Sequence, residues 1–122
     1  MSDKKTILLI DDSATMLMSL KKTLDDIFTV ETAVDGVDAL TKLKLIKKPD
    51  LIITDINMPN MNGIEFIRHA RQSLRFTPIL TLTTESQQTK REEARKYGAT
   101  GWLVKPIGAN DLLTVIKRVL HV

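Results

Sequence analysis

Short runs of Ile, Leu and Val alternate along the chain with longer stretches whose apolar positions recur every three or four residues. The runs Thr6–Ile10, Thr29–Ala33, Leu51–Thr54, Ile79–Leu82 and Trp102–Val104 predict strands, and their starts lie roughly 22 to 28 residues apart. That is the spacing of repeated strand–helix units. Three runs (ILLI, LIIT and ILTL) are apolar nearly throughout, as strands covered on both faces should be. Between them the helical period predicts five helices. Met16, Leu17, Leu20, Leu24 and Ile27 share one face of the first, behind Ser13 as N-cap. The second starts near Asp35, turns Val37, Leu40, Leu43 and Ile46 inward and stops before Pro49. Ile64, Ile67, Ala70 and Leu74 align in the third, and Leu112, Val115, Ile116, Val119 and Leu120 in the fifth, behind an Asn110 cap. From Ser86 to Tyr97 the fourth has only Ala94 and Tyr97 as apolar residues. So narrow a stripe fits either a mobile, partner-binding element or a plain solvated helix.

Five such units predict an α/β fold. The expected architecture is a doubly wound five-stranded parallel sheet of order 2-1-3-4-5, flavodoxin-like, with helices on both faces because the crossovers are right-handed. With 122 residues the chain reads as a single domain, 1–122, ending just after the fifth helix with no output domain. It contains no Cys, which excludes disulfides, thiolate metal sites and Cys nucleophiles. No apolar run approaches a membrane span, and the charged start Met1–Lys5 lacks the apolar core of a signal peptide, so a cytoplasmic protein is expected. The net charge is +3, from Lys and Arg scattered along the chain. Solvated helix faces account for them better than nucleic acid does, and 4% aromatic residues provide no stacking platform. His69 and His121 read as surface residues.

The chemistry sits at strand ends. Asp11 and Asp12 follow the first strand and Asp55 follows the third. In the order 2-1-3-4-5 these strands are neighbours and the winding reverses between them, where ligands of such sheets bind. An Asp after a strand is commonly a helix cap or turn residue. Three gathered carboxylates, however, repel one another and call for a cation. Mg²⁺ suits them, being hard and oxygen-seeking and often sharing its sphere with a phosphate. Lys105, after the fifth strand, is a second counter-charge, and Thr83, ending the fourth, offers a hydroxyl at the same rim.

Together LLIDDS (8–13), ITDINMPNMNG (53–63), LTTE (82–85) and GWLVKP (101–106) resemble the receiver domain of two-component response regulators, chemotaxis receivers among them. The resemblance runs through the whole chain. That family is itself a known example of this strand order.

The resemblance implies Asp55 as phosphoacceptor, taking a phosphoryl group from a sensor histidine kinase. It implies Asp11, Asp12, Asp55 and the backbone carbonyl of Asn57 as Mg²⁺ ligands. Lys105 would pair with Asp55 or a phosphoryl oxygen, Thr83 would hydrogen-bond the attached group, and Pro106 would follow a cis bond. Asn57 and Glu85 would tune dephosphorylation, toward a short-lived phosphorylated form. Gly63 would permit a tight turn beneath the site. When Thr83 moves toward the phosphate, Trp102 would swing inward and change the surface of helix four, strand five and helix five; a fixed, half-buried Trp102 is the alternative.

The function so implied is a stand-alone switch that acts by binding a downstream protein, the flagellar motor switch if the pathway is chemotaxis, as a monomer or weak dimer. A phosphorelay shuttle receiver is a second reading. An aspartyl-nucleophile phosphohydrolase is a third, but such enzymes carry Asp-x-Asp where this chain has Asp11-Asp12-Ser13. A flavodoxin-like cofactor binder is a fourth, and residues 11–16 are too acidic for its phosphate.

Overall fold

The computed structural model describes residues 4–122. Residues 1–3, part of the N-terminal segment read above for a signal sequence, lie outside the described residues. The order of elements is β1 (Thr6–Ile10), α1 (Ala14–Leu24), β2 (Thr29–Ala33), α2 (Gly36–Leu43), β3 (Leu51–Thr54), α3 (Gly63–Ala70), β4 (Ile79–Thr83), α4 (Gln88–Lys96), β5 (Gly101–Val104) and α5 (Ala109–Leu120). The sheet is parallel throughout, with order β2-β1-β3-β4-β5. No helix among the described residues is long and apolar enough to cross a membrane.

Alternation along the strands explains the unbroken apolar runs, since successive side chains enter different layers. Leu8, Ile10, Ile52 and Ile79 pack with Ile64, Phe66, Ile67 and Ala94 beneath α2, α3 and α4. Ile7, Leu9, Ile53, Leu80 and Leu82 pack with Leu17, Leu24, Leu112 and Ile116 beneath α1 and α5. The central strands β1, β3 and β4 are therefore buried on both faces.

The helices differ from expectation at their ends. α1 stops at Leu24; Ile27 is 39% exposed, and Phe28, at 2%, fills the core instead. Ser13 caps α1 as expected, its hydroxyl accepting from Met16 N–H at 3.2 Å. α2 ends at Leu43, well before Pro49, and turns Ala39 rather than Val37 to the core. α5 starts earlier than expected: its N-cap is Gly108, with no side-chain cap, and Asn110 lies inside the helix, its carbonyl accepting from the Thr114 hydroxyl.

Candidate functional site

Register brings the acidic residues together. Ile10 pairs with Thr54, so the next residues, Asp11 and Asp55, leave neighbouring strands side by side. Backbone bonds extend the sheet one residue further on each: Asp11 N–H donates to the Ala33 carbonyl (3.1 Å) and Asp55 N–H to that of Ile10 (2.8 Å). Across the sheet Thr83 pairs with Val104, and Lys105 N–H donates to the Thr83 carbonyl at 2.8 Å. The ends of β1, β3, β4 and β5 thus meet at one rim, over an apolar floor of Leu9, Leu17, Ile53 and Leu82.

Carboxylate oxygens of Asp11, Asp12 and Asp55 lie within 4.8 Å of one another. Asp11 and Asp55 are buried and Asp12 is exposed, so the cluster opens to solvent on the Asp12 side. The Lys105 ammonium lies 2.7 Å from Asp11 Oδ2 and 3.0 Å from Asp55 Oδ2, with its side chain 12% exposed. Burial draws the Lys105 pKa down. The hydrogen bonds and charges of Asp11 and Asp55 more than reverse this, so it stands above the ordinary lysine value. The other carboxylate oxygens of Asp11 and Asp55 accept backbone N–H groups: Asp11 Oδ1 from Ser13 (2.9 Å) and Asp55 Oδ1 from Ile56 (2.6 Å). Three carboxylates against one ammonium leave a formal charge of −2. An all-oxygen donor set with that excess fits a hard divalent cation such as Mg²⁺.

Thr83 is fully buried, and its hydroxyl accepts from Glu85 N–H at 3.1 Å. Glu85 in turn accepts from Asn57 Nδ2 at 3.3 Å and from Gln87 N–H at 3.2 Å. The Gln87 bond and then the Asn57 bond hold the Glu85 carboxyl below its ordinary pKa. Asn57 and Glu85, expected to tune dephosphorylation, bridge the β3–α3 and β4–α4 loops through this bond.

The Lys105–Pro106 peptide is cis. Gly63 acts through proximity rather than turn geometry. A Cβ there would stand 2.0 Å from the Asp55 carbonyl oxygen, and its N–H donates to the Ile56 carbonyl at 2.8 Å. Trp102 is half-buried, pairs in register with Thr81 and packs on the core beneath α3 and α4 with Tyr97 and Ala99. By strand alternation it lies on the same sheet face as Thr83. Beside it a cleft of about 240 Å³ is lined by Arg91, Arg95, Ala99, Thr100 and Gly101.

Sequence reasoning missed the contact of Lys105 with Asp11, which joins residues 94 positions apart. It also missed a clasp between Asn60 and Asp35 at the far end of the β3–α3 loop, where Asn60 Nδ2 donates to Asp35 Oδ2 at 2.8 Å. The left-handed backbone of Asn60 (φ 67°) fits the Pro59-Asn60 pair, a turn signal within the motif.

The sequence model of the response regulator receiver domain matches residues 7–117. The chain is 34% identical over 119 residues to chemotaxis protein CheY-3 of Vibrio cholerae, covering 94% of this chain and 91% of that protein. It is 38% identical over 120 residues to the sensor protein EvgS of Escherichia coli K12; this covers 98% of the chain and about a tenth of that much longer protein. Among solved structures, chemotaxis protein CheY4 of Vibrio cholerae superimposes with a TM-score of 0.89 at 44% identity, covering 95% of this chain and 98% of that one.

Proposed function

The chain belongs to the response regulator receiver domain family, and from that premise we propose that it is a phosphorylation switch in which Asp55 accepts a phosphoryl group from a sensor histidine kinase. The observation that carries this reading is the excess charge of the cluster: Asp55 stands among acids that one lysine leaves two charges short of neutral.

Asp11, Asp12, Asp55 and the backbone carbonyl of Asn57 would hold Mg²⁺. When bound, the ion neutralises charge on the phosphoryl oxygens. The chain's own groups do the rest. The Asp55 carboxylate forms an O–P bond as the P–N bond of the donor phosphohistidine breaks, and the imidazole leaves with the electron pair. Phosphoryl transfer asks chiefly for in-line positioning and stabilisation of equatorial charge. The Ile56 N–H and the Lys105 ammonium fix Asp55 from two sides. Lys105 and the Thr83 hydroxyl meet the charge on the transferred group. Once Thr83 turns to the phosphoryl group, Glu85 N–H loses its acceptor and the β4–α4 loop loosens. Trp102, on the same sheet face, then moves inward and alters the surface of α4, β5 and α5. Asn57 and Glu85 orient the water that later hydrolyses the acyl phosphate.

The output is binding to a downstream protein in the cytoplasm. Likeness to the two Vibrio chemotaxis proteins and the Asn57–Glu85 pair favour chemotaxis, with the flagellar motor switch as partner. Likeness to a segment of a sensor protein favours a second reading, a relay receiver within a longer phosphorylation chain.

Trp102 is the single tryptophan, so its emission reads the switch. Mg²⁺ and then beryllofluoride should each change it, and Asp55→Asn should abolish the second change. A folded chain that responds to neither, and takes no label from acetyl phosphate, refutes the reading.

A further inference from the structure

Residues 55–62 form the loop between β3 and α3; the Asn57 side chain donates to Glu85 Oε1 at 3.3 Å, and the other fastenings come from the strand ends and the β2–α2 corner. At its near end Asp55 N–H donates to the Ile10 carbonyl, and Gly63 N–H, just past its far end, closes back onto the Ile56 carbonyl, each at 2.8 Å. Toward its far end two further anchors belong to the β2–α2 corner. Asn60 Nδ2 donates to Asp35 Oδ2 at 2.8 Å, and Gly36 N–H donates to the Met61 carbonyl at 3.1 Å. Asp35 is a fixed post: it is buried, and its other oxygen caps α2 by accepting Asp38 N–H at 2.8 Å.

Asn60 adopts the left-handed backbone that glycine takes at least cost. Glycine would make this turn but could not make the clasp. Between the two fastenings lies Asn57, whose carbonyl is the fourth oxygen ligand of the reading above. A ligand carried on a loose loop must be ordered when the cation binds, which lowers affinity; a loop fixed beforehand avoids that loss.

We propose that Asn60 is a positioning residue for the reaction at Asp55: by clasping Asp35 it holds the 57–61 loop so that the Asn57 carbonyl is presented to Mg²⁺ already ordered. The inference rests on the reading of Asp11, Asp12, Asp55 and Asn57 as the metal site.

The test is calorimetric titration of the full chain with Mg²⁺, alongside acetyl phosphate labelling. Asn60→Gly keeps the turn and deletes the clasp. It should weaken Mg²⁺ binding about tenfold, as loss of an outer partner does at metal sites, while the extent of labelling at saturating Mg²⁺ stays at the wild-type level. Asn60→Asp sets one carboxylate against another and should weaken binding further. The reciprocal double variant Asp35→Asn/Asn60→Asp restores a donor facing an acceptor, and should recover affinity beyond the sum of its single changes. Wild-type Mg²⁺ affinity in both Asn60→Gly and Asn60→Asp, or a double variant no better than Asn60→Asp, overturns the proposal. A wild-type chain that binds no Mg²⁺ overturns the underlying reading of the site, and is told apart because the failure then appears before any substitution.

Discussion

The Lys105 ammonium lies 3.0 Å from Oδ2 of Asp55, the residue it follows by 50 positions in sequence. The same ammonium reaches Asp11 at 2.7 Å, so one lysine holds together two buried carboxylates that would otherwise repel. It occupies oxygens that a divalent cation also seeks, and in the proposed reaction it faces the charge that arrives with a phosphoryl group. Its effects on metal binding and on transfer should therefore have opposite signs.

Replacing Lys105 by Met separates those effects. With the ammonium gone, Asp11 and Asp55 lose their internal counter-charge, and Mg²⁺ affinity should rise several-fold. Acetyl phosphate labelling should nonetheless fall, by about 10²-fold, because a preorganised cation at the developing charge has been removed. Calorimetry and labelling on the same sample check both signs; weaker Mg²⁺ binding with unchanged labelling contradicts the argument. The raised pKa of Lys105 also gives a pH signature. Stability from a group whose pKa is raised on folding is fully present below the ordinary lysine value and is lost as pH climbs through the folded one. The stability gap between wild type and Lys105→Met should hold through neutral pH and close only in strong alkali.

Gly63→Ala should be the most damaging single-methyl change near the site. Its Cβ would meet the Asp55 carbonyl oxygen at 2.0 Å, and the obstacle is backbone rather than a side chain that can rotate away. A loss of about 3 kcal/mol, the upper range for overpacking, is expected in urea denaturation. Because the clash falls on Asp55 itself, labelling should drop even where the variant remains folded. Wild-type stability in the Gly63→Ala variant would show that the loop yields freely.

The sheet was legible because its signal is local and doubly constrained. Ile7 and Leu9 face one layer while Leu8 and Ile10 face the other, so burial on both sides writes an unbroken apolar run. Asp11, Asp55, Thr83 and Lys105 were legible once the strand order placed them at one rim. Helix ends were less so. Gly108 starts α5 without any side-chain bond, so the cap-like Asn110, two residues further on, drew the expected start past it. The phase of α2 misled because the small Ala39 is the side chain fully buried there, while the larger Val37 stays 47% exposed. The links Lys105–Asp11 and Asn60–Asp35 span 94 and 25 positions. Such pairings depend on tertiary register: local sequence marks Pro59-Asn60 as a turn and Asp35 as a cap, but not that the two meet.

Asp35 should give the protein an acid-sensitive component of stability. The N–H of Asp38 first, and then the Asn60 amide, hold its carboxyl below the ordinary value of 3.8. A lowered pKa contributes stability above the unfolded value and loses it as pH falls through the folded one. Asp35→Ala removes both partners and should cost about 1–2 kcal/mol at neutral pH, the range for a lost helix cap. The gap from wild type should narrow below pH 3.8, where the unfolded carboxyl takes up its proton. Denaturant midpoints measured at neutral and acid pH decide it, and a gap that does not depend on pH argues against an ionised cap.

The fourth helix should be the least protected of the five, and unevenly so. Of α4 only Ala94 is buried, and its N-cap, Gln87, makes no side-chain cap bond. What holds its start is Glu85, which accepts Gln87 N–H at 3.2 Å while its own N–H is tied to Thr83. Its far end is held more firmly. Arg71 donates to the Gly98 carbonyl through Nε at 3.1 Å and Nη2 at 2.8 Å, and Ala99 N–H closes onto the Ala94 carbonyl at 2.9 Å. Local opening follows from few buried contacts and exposed backbone bonds, so amides in the first turn of α4 should exchange fastest among the helices. Glu85→Ala should speed that turn further and leave the end near Gly98 unchanged, whereas Arg71→Met should do the reverse. Hydrogen exchange read by mass spectrometry resolves the two halves. Uniform protection along α4, equal to that of α3, would mean that the helix moves as one rigid piece and that Glu85 does not tether it.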